Sequence, residues 1–251
     1  MTHFIEEEIA QLKEMLLTMG SQASSAVSRS IKALVDRDDD LARAVQEDDD
    51  VLDRLEVEVD ELAIILLSKA PLATDLRLIT VAMKISQNLE RVGDEATKIA
   101  RRSIELSQEP QLKPYVDIPR MATMAIQMLQ EALDAFVNKN PDKARALIPR
   151  DKEVDSLNKQ LHRELASFMV EKPSTISRCL NLMVISKSLE RIADHATNVA
   201  EEVVYLHEAT EVRHTLKRAE PAQSFTPTFI PSSTLPLSAV PPTTPAAPDQ
   251  A

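Results

Sequence analysis

Glu90 and Asp94 stand four residues apart, and so do Glu190 and Asp194. Asp49 and Asp53 form a third such pair, Asp151 and Asp155 a fourth. On a helix, residues four apart stack on one face. Two like charges there destabilise an isolated helix by roughly 0.2–0.5 kcal/mol, and a cation seated between them removes that repulsion. If two helices bring two pairs side by side, four carboxylates converge. Hard oxygen ligands in that number suit Mg²⁺, Ca²⁺, Mn²⁺ or iron. The candidate ligands are Asp49, Asp53, Glu90 and Asp94 for one site, and Asp151, Asp155, Glu190 and Asp194 for the other. A single acidic pair reads as a solvated polar face; the repetition gives the metal reading its weight.

The repetition extends beyond the acids. With a shift of 100 residues, Met83–Ala100 aligns with Met183–Ala200 at ten of eighteen identical positions. With a shift of 102, Asp49 and Asp53 meet Asp151 and Asp155, and Pro71 meets Pro173. The chain is therefore a duplicated unit. On the second helix Asp49, Asp53, Glu56 and Asp60 form one acidic row; their counterparts are Asp151, Asp155, Asn158 and His162. Glu201 stands where the first half has Arg101, which predicts a more negative second site.

The elements that must carry these residues are helices. Gly occurs twice in 251 residues and aromatics make up 3%, so hairpin-rich β folds are excluded. Apolar stripes recur at i, i+3, i+4 and i+7, as in Leu52, Leu55, Val59, Leu62 and Leu66, and in Ala82, Ile85, Leu89, Val92, Ala96 and Ile99. Six helices are predicted, over 3–36, 40–69, 75–107, 117–138, 142–171 and 175–215. Pro71 and Pro173 stop the second and fifth, and Asp75 and Ser174 or Thr175 are candidate caps for the third and sixth. The fold expected is all-α: two tandem three-helix bundles, residues 1–110 and 116–216, parted by the proline-bearing segment Gln108–Pro119. Residues 219–251 hold eight of the fifteen prolines and form a disordered tail. At about 100° per residue, the acidic pairs point away from the stripes, onto the bundle surface.

Composition bounds the function. A net charge of −11 argues against nucleic acid and favours cationic partners. The longest purely apolar run, Leu62–Leu67, is far too short to span a membrane, and the start of the chain carries acids where a signal peptide carries bases. A cytoplasmic protein is expected, held at the inner face of a membrane through partners. Cys179 is the single cysteine and sits in an apolar context, so it reads as core. The methionines read as core filler, and His3, His195 and His207 as surface polar groups. No phosphate-cradling Gly-rich loop is present. The single Glu-x-x-His match, Glu211–His214, does not make the two that a ferritin-like di-iron enzyme needs. Arg91 and Arg191 are candidate salt-bridge partners between bundles or subunits.

At these motifs the chain resembles the PhoU family. The resemblance spans about residues 1–215 and rests on Pro71-Leu-Ala-Thr-Asp-Leu-Arg77, Leu89-Glu-Arg-Val-Gly-Asp94 and Leu189-Glu-Arg-Ile-Ala-Asp-His-Ala-Thr-Asn-Val-Ala200. It implies two tandem three-helix bundles, with a surface metal cluster on Glu/Asp-x-x-x-Asp motifs in each. It implies a homodimer with no catalytic activity. It implies a negative regulator of phosphate uptake and of the phosphate-starvation response. Such a protein works with the ATP-binding subunit of the phosphate ABC transporter and with a PhoR-type sensor histidine kinase. The segment Pro173-Ser-Thr-Ile-Ser-Arg178 departs from its first-half counterpart, and the tail lies outside the resemblance. The rival readings are a carboxylate-bridged di-iron enzyme and a metal-free helical scaffold.

Overall fold

The computed structural model of the chain describes residues 2–69 and 72–209. Among them are eight α-helices and no strand: α1 (Thr2–Asp36), α2 (Asp39–Glu47), α3 (Asp49–Ser68), α4 (Ala73–Ser107), α5 (Asp117–Val137), α6 (Pro141–Leu147), α7 (Asp151–Glu171) and α8 (Ile176–Glu208). Helices α1, α3 and α4 pack as one three-helix bundle, with α2 laid against α1 and α4; α5, α7 and α8 pack as the second, with α6 against α5 and α8. The two tandem bundles predicted from the repeat are present. They share one continuous apolar core, joined where α4 lies along α8 and α1 meets α5. Pro71, Glu211–His214, the Pro-rich tail and the side chain of His3 fall outside the described residues.

The predicted second and fifth helices are each broken in two, at equivalent points. In the first half the break follows Glu47, at a run of four acids, Glu47–Asp50. Acids are unfavourable at a helix C-terminus and favourable in a first turn, so the run ends one helix and opens the next. In the second half Pro149 does the same work: it cannot donate to the helix ladder, and Ile148–Arg150 forms a 3₁₀ turn. Either way the new helix begins at Asp49 or Asp151. The short helices are capped alike. Asp38 Oδ1 accepts from Leu41 N at 2.9 Å and Asn140 Oδ1 from Lys143 N at 2.9 Å. Caps were expected from Asp75 and from Ser174 or Thr175. Instead α4 starts after Leu72 without a side-chain cap; Thr175 does hold the N-cap position of α8, but its hydroxyl donates backward to the carbonyls of Phe168 and Lys172.

The apolar stripes are buried as read. On α4 they include Ala82, Ile85, Leu89, Val92, Ala96 and Ile99, and on α8 Leu182, Ile185, Leu189, Ile192, Ala196 and Val199, all with no exposed surface. Cys179 is in the core, as are Met19, Met121 and Met128. Met15, Met83, Met124, Met169 and Met183 pack against it. One histidine parts company with the expectation. His207 is exposed, but His195 is half-buried between the bundles, with Nδ1 3.0 Å from Asn88 Oδ1 on α4. Burial first, then the charge of Arg91, keeps its pKa below the usual histidine range.

Gly20 allows α5 to close on α1: a Cβ there would stand 2.1 Å from Leu133 Cδ1. Gly20→Val therefore overpacks the seam. The expected loss is about 1–3 kcal/mol, read as a lower urea midpoint with unchanged slope. An unchanged midpoint would show that this contact imposes no packing constraint.

Candidate metal centres

Each half presents one acidic cluster across two antiparallel-packed helices, α3 on α4 and α7 on α8. In the first, the charge of Asp94 on α4 acts on Asp49 of α3, and Asp53 and Glu56 of α3 act on Glu90 of α4. In the second, Asp194 and Glu190 of α8 and Asp155 of α7 act on Asp151. The eight sequence-predicted acids thus fall into two groups of four within electrostatic reach of one another, one per half. Glu56 joins the first group, whereas its row-mate Asp60 acts on Glu56 rather than on the pairs. Glu56 was legible as part of the acidic row.

Helix packing brings the pairs together. Gly93, between Glu90 and Asp94, lets α3 approach: a Cβ there would meet Leu52 Cδ1 at 2.4 Å and Asp49 Oδ1 at 3.2 Å. Asp49 and Asp151 each occupy the first turn of their helix, where the positive end of the peptide dipoles favours an anion.

The acids of each cluster repel one another. Glu90 is pushed up to about 7 by partial burial, then by Asp94, Glu56 and Asp53, against the pull of Arg91. Asp151 is pushed up to about 7 by burial, then by Asp194, Asp155 and Glu190, against Lys187. Asp49 and Asp194 are raised as well, burial leading in both. One oxygen of Asp151, Oδ1, is buried without a hydrogen-bond partner, and so is the hydroxyl of Thr197, one turn beyond Asp194. A buried carboxylate oxygen without a donor is costly unless a cation or proton meets it. The donor set is all oxygen and suits a hard cation. The side chains do not form a closed cage: among the described residues, no three His, Cys, Asp or Glu side chains are drawn together tightly enough to hold an ion. The fit rests on the orphaned oxygen and the chemistry of the donors.

Three details correct the sequence reading. Glu190 is not on the surface but 8% exposed, paired with Lys187 one turn earlier on α8. The second site was expected to be the more negative because of Glu201; instead it carries Lys187, where the first half has Gln87. Asn158 and His162 are not free donors: Ser186 Oγ donates to Asn158 Oδ1 at 2.8 Å and lies 3.1 Å from His162 Nε2. Arg191 does join the bundles, donating to Glu95 Oε1 of α4 at 3.3 Å.

The comparisons with known proteins agree with the duplicated geometry. The PhoU domain matches twice, at residues 16–103 and 118–203. The chain belongs to the PhoU family. It is 42% identical over 220 residues to the phosphate-specific transport system accessory protein PhoU homolog of Pseudomonas aeruginosa, spanning 85% of this chain and 91% of that one. It is 38% identical over 209 residues to the homolog of the same description from Aquifex aeolicus, 83% and 95% of the two chains. Among solved structures, PhoU from Pseudomonas aeruginosa superposes with a TM-score of 0.79 at 41% identity, covering 82% of this chain and 99% of that one. The phosphate transport system regulatory protein PhoU from Streptococcus pneumoniae gives 0.79 at 26% identity, covering 83% and 99%.

The raised carboxyls give a pH dependence of definite sign. A carboxyl whose folded pKa lies above its unfolded value stabilises the fold while protonated, and that contribution is lost as pH rises toward the folded pKa. For Glu90 and Asp151 the window runs from the ordinary carboxylate range up to about 7. With chelator present, Asp151→Asn should raise the thermal midpoint at pH above that window and change it little below. A midpoint equally shifted at both ends would mean that repulsion at Asp151 is not what destabilises the metal-free protein.

Proposed function

We propose that this PhoU-family chain is a non-catalytic accessory regulator of phosphate-specific transport that binds metal ions and acts in the cytoplasm. In this reading it lowers phosphate uptake and holds the phosphate-starvation response off when phosphate is plentiful. It does so as an adaptor between the ATP-binding subunit of the phosphate ABC transporter and a PhoR-type sensor histidine kinase, and it works as a homodimer. The observation that carries the proposal is the duplicated carboxylate cluster on a PhoU scaffold, with buried Asp151 Oδ1 lacking a donor. The relatives' descriptions as phosphate-specific transport system accessory proteins support the transport assignment. Among the described residues no helix is long and apolar enough to cross a membrane, which is consistent with docking on a membrane partner.

When bound, a divalent cation or iron supplies positive charge between paired carboxylates. Asp49, Asp53, Glu90 and Asp94 would hold it in the first half, and Asp151, Asp155, Glu190 and Asp194 in the second. The protein's own contribution is to set two helices at a spacing that turns repulsion into coordination.

Protein purified without chelator and equilibrated with Mg, Mn, Fe or Ca should retain metal stoichiometrically. Asp53→Ala/Glu90→Ala should lose the share held by the first cluster and keep the rest. Undetectable metal in the unaltered protein would end the metal part of the proposal. The regulatory part has its own test. Deleting the gene should derepress a phosphate-starvation reporter in high phosphate, and an unchanged reporter would count against it.

A further inference from the structure

A cavity of about 520 Å³ opens where α1, the start of α4, the end of α5 and the end of α8 come together. That volume is within the range of small-molecule sites, roughly 300–1,000 Å³. Ile9, Leu78, Phe136 and Leu206 supply apolar wall. The polar lining runs against the character of the chain. In a protein of net charge −11, Lys13, Arg77, Lys139 and His207 converge on this one cavity, with Glu6 and Asp75 as the acids beside them.

The bland account is a set of solvated surface bases, and two observations weigh against it. The first is the backbone of Lys139. It follows α5 in the left-handed region, φ 52°, a position where Gly or Asn is cheaper. Its repeat counterpart Arg37 has φ 58° and is fully employed: its guanidinium donates to the carbonyls of Ser107 and Glu109 at 2.5 and 2.6 Å, closing the end of α4. Lys139 makes no such bond among the described residues and instead lines the cavity with Lys13. The second is the company these bases keep. Burial, then the charge of Lys139, holds Lys13 below the usual lysine range; burial, then Lys139 and Lys13, does the same to His207. Neither lysine forms an ion pair among the described residues. Like charges are gathered here: Lys13 is half-buried, Lys139 and His207 are exposed, and Glu6 and Asp75 are the acids in the same lining. Arg77 is held nearby, donating to the Leu206 carbonyl at 3.4 Å with its guanidinium 6.0 Å from the Tyr205 ring centroid.

We propose that this cavity binds a phosphoryl dianion, as free inorganic phosphate or as a small phosphate monoester, with Lys13, Lys139 and Arg77 meeting its oxygens. Two lysines and a guanidinium fork match a dianion with three terminal oxygens better than a singly charged carboxylate. An ester's organic group has Ile9, Leu78 and Phe136 to pack on. Glu6 and Asp75 limit the positive charge of the empty cavity, which keeps the affinity moderate. The proposal goes beyond the regulatory reading and does not rest on it. It concerns different residues from the acidic clusters.

The test is calorimetric titration of the full chain at constant ionic strength, with chelator present so that phosphate cannot report through a bound metal. The probes are inorganic phosphate and adenosine 5′-monophosphate. Saturable one-to-one binding is expected, weakened about tenfold or more in Lys13→Gln/Lys139→Gln. Binding of inorganic phosphate identifies the free anion as sufficient; binding of the nucleotide alone identifies an ester. Asp75→Asn should tighten binding, a gain that a misfolded variant cannot mimic. Absence of saturable binding of either probe in the millimolar range would overturn the proposal, and so would affinity unchanged by the double lysine substitution.

Discussion

The contact of α4 with α8 is the constraint on which the rest of the molecule depends. Both long helices bury one face in their own bundle and present another to each other. Polar groups on that shared face are fixed with little freedom. Glu95 is 4% exposed; burial pushes its carboxyl up, but hydrogen bonds from Ser188 and Lys98 and the charges of Lys98 and Arg191 outweigh this and leave it below its ordinary value. Its repeat counterpart is His195, whose pKa is held below the usual histidine range by burial and which bonds to Asn88. The duplicated helices therefore meet through one carboxylate and one imidazole at equivalent places. Nearby, Glu202 of α8, 2% exposed, takes Lys84 of α4 at 3.3 Å. These polar contacts on a mostly buried face tie α4 to α8.

Once α4 and α8 are set, the positions of the acids follow. Glu90 and Asp94 sit one turn apart on α4 within reach of the acids of α3, and Glu190 and Asp194 do the same on α8 toward α7, with Asp94 and Asp194 still exposed. The helix breaks before Asp49 and Asp151 then become meaningful. They place an acid in a first turn, where the helix end favours an anion, directly against the pair on the long helix. The two halves reach that break by different chemistry, a run of acids in one and a proline in the other. Burial nonetheless pushes these carboxyls toward protonation, so the helix end alone does not settle their charge.

Much of this was legible in the sequence. The apolar stripes, the 100- and 102-residue shifts and the four i,i+4 pairs are patterns along one helix, and periodicity reports those faithfully. What escaped depends on contacts between distant segments. Glu190 reads as a surface acid because its angle from the stripe is large, but α7 covers that face and buries it. His195 reads as solvated for the same reason, yet α4 covers it. The break after Glu47 was missed because a continuous apolar pattern runs through it, while the acid run that causes it was visible as charge rather than as a boundary. The cavity at Lys13 and Lys139 unites residues from α1 and the turn after α5, which no local pattern connects.

The two clusters are not electrostatic equals, and the difference lies on the long helices. In the first half Gln87 stands one turn before Glu90, so the repulsion falls on Glu90 and is tempered only by exposed Arg91. In the second half Lys187 stands there, pairs with Glu190, and moves the repulsion to Asp151 on the facing helix. The acidic row beyond also differs. Glu56 and Asp60 extend it in the first half, whereas Asn158 and His162 close it with a hydrogen-bonded chain through Ser186 in the second. The acids of the first cluster are the more exposed: Asp53 and Asp94 lie open to solvent, whereas Glu190 of the second is buried. In the second half Lys187 pairs with Glu190, and the buried Asp151 Oδ1 has no hydrogen-bond partner. Duplication supplied the same four acids twice. Neighbouring positions then set them apart: Arg91 is the base that tempers Glu90 in the first, and the second holds an internal Lys187–Glu190 ion pair.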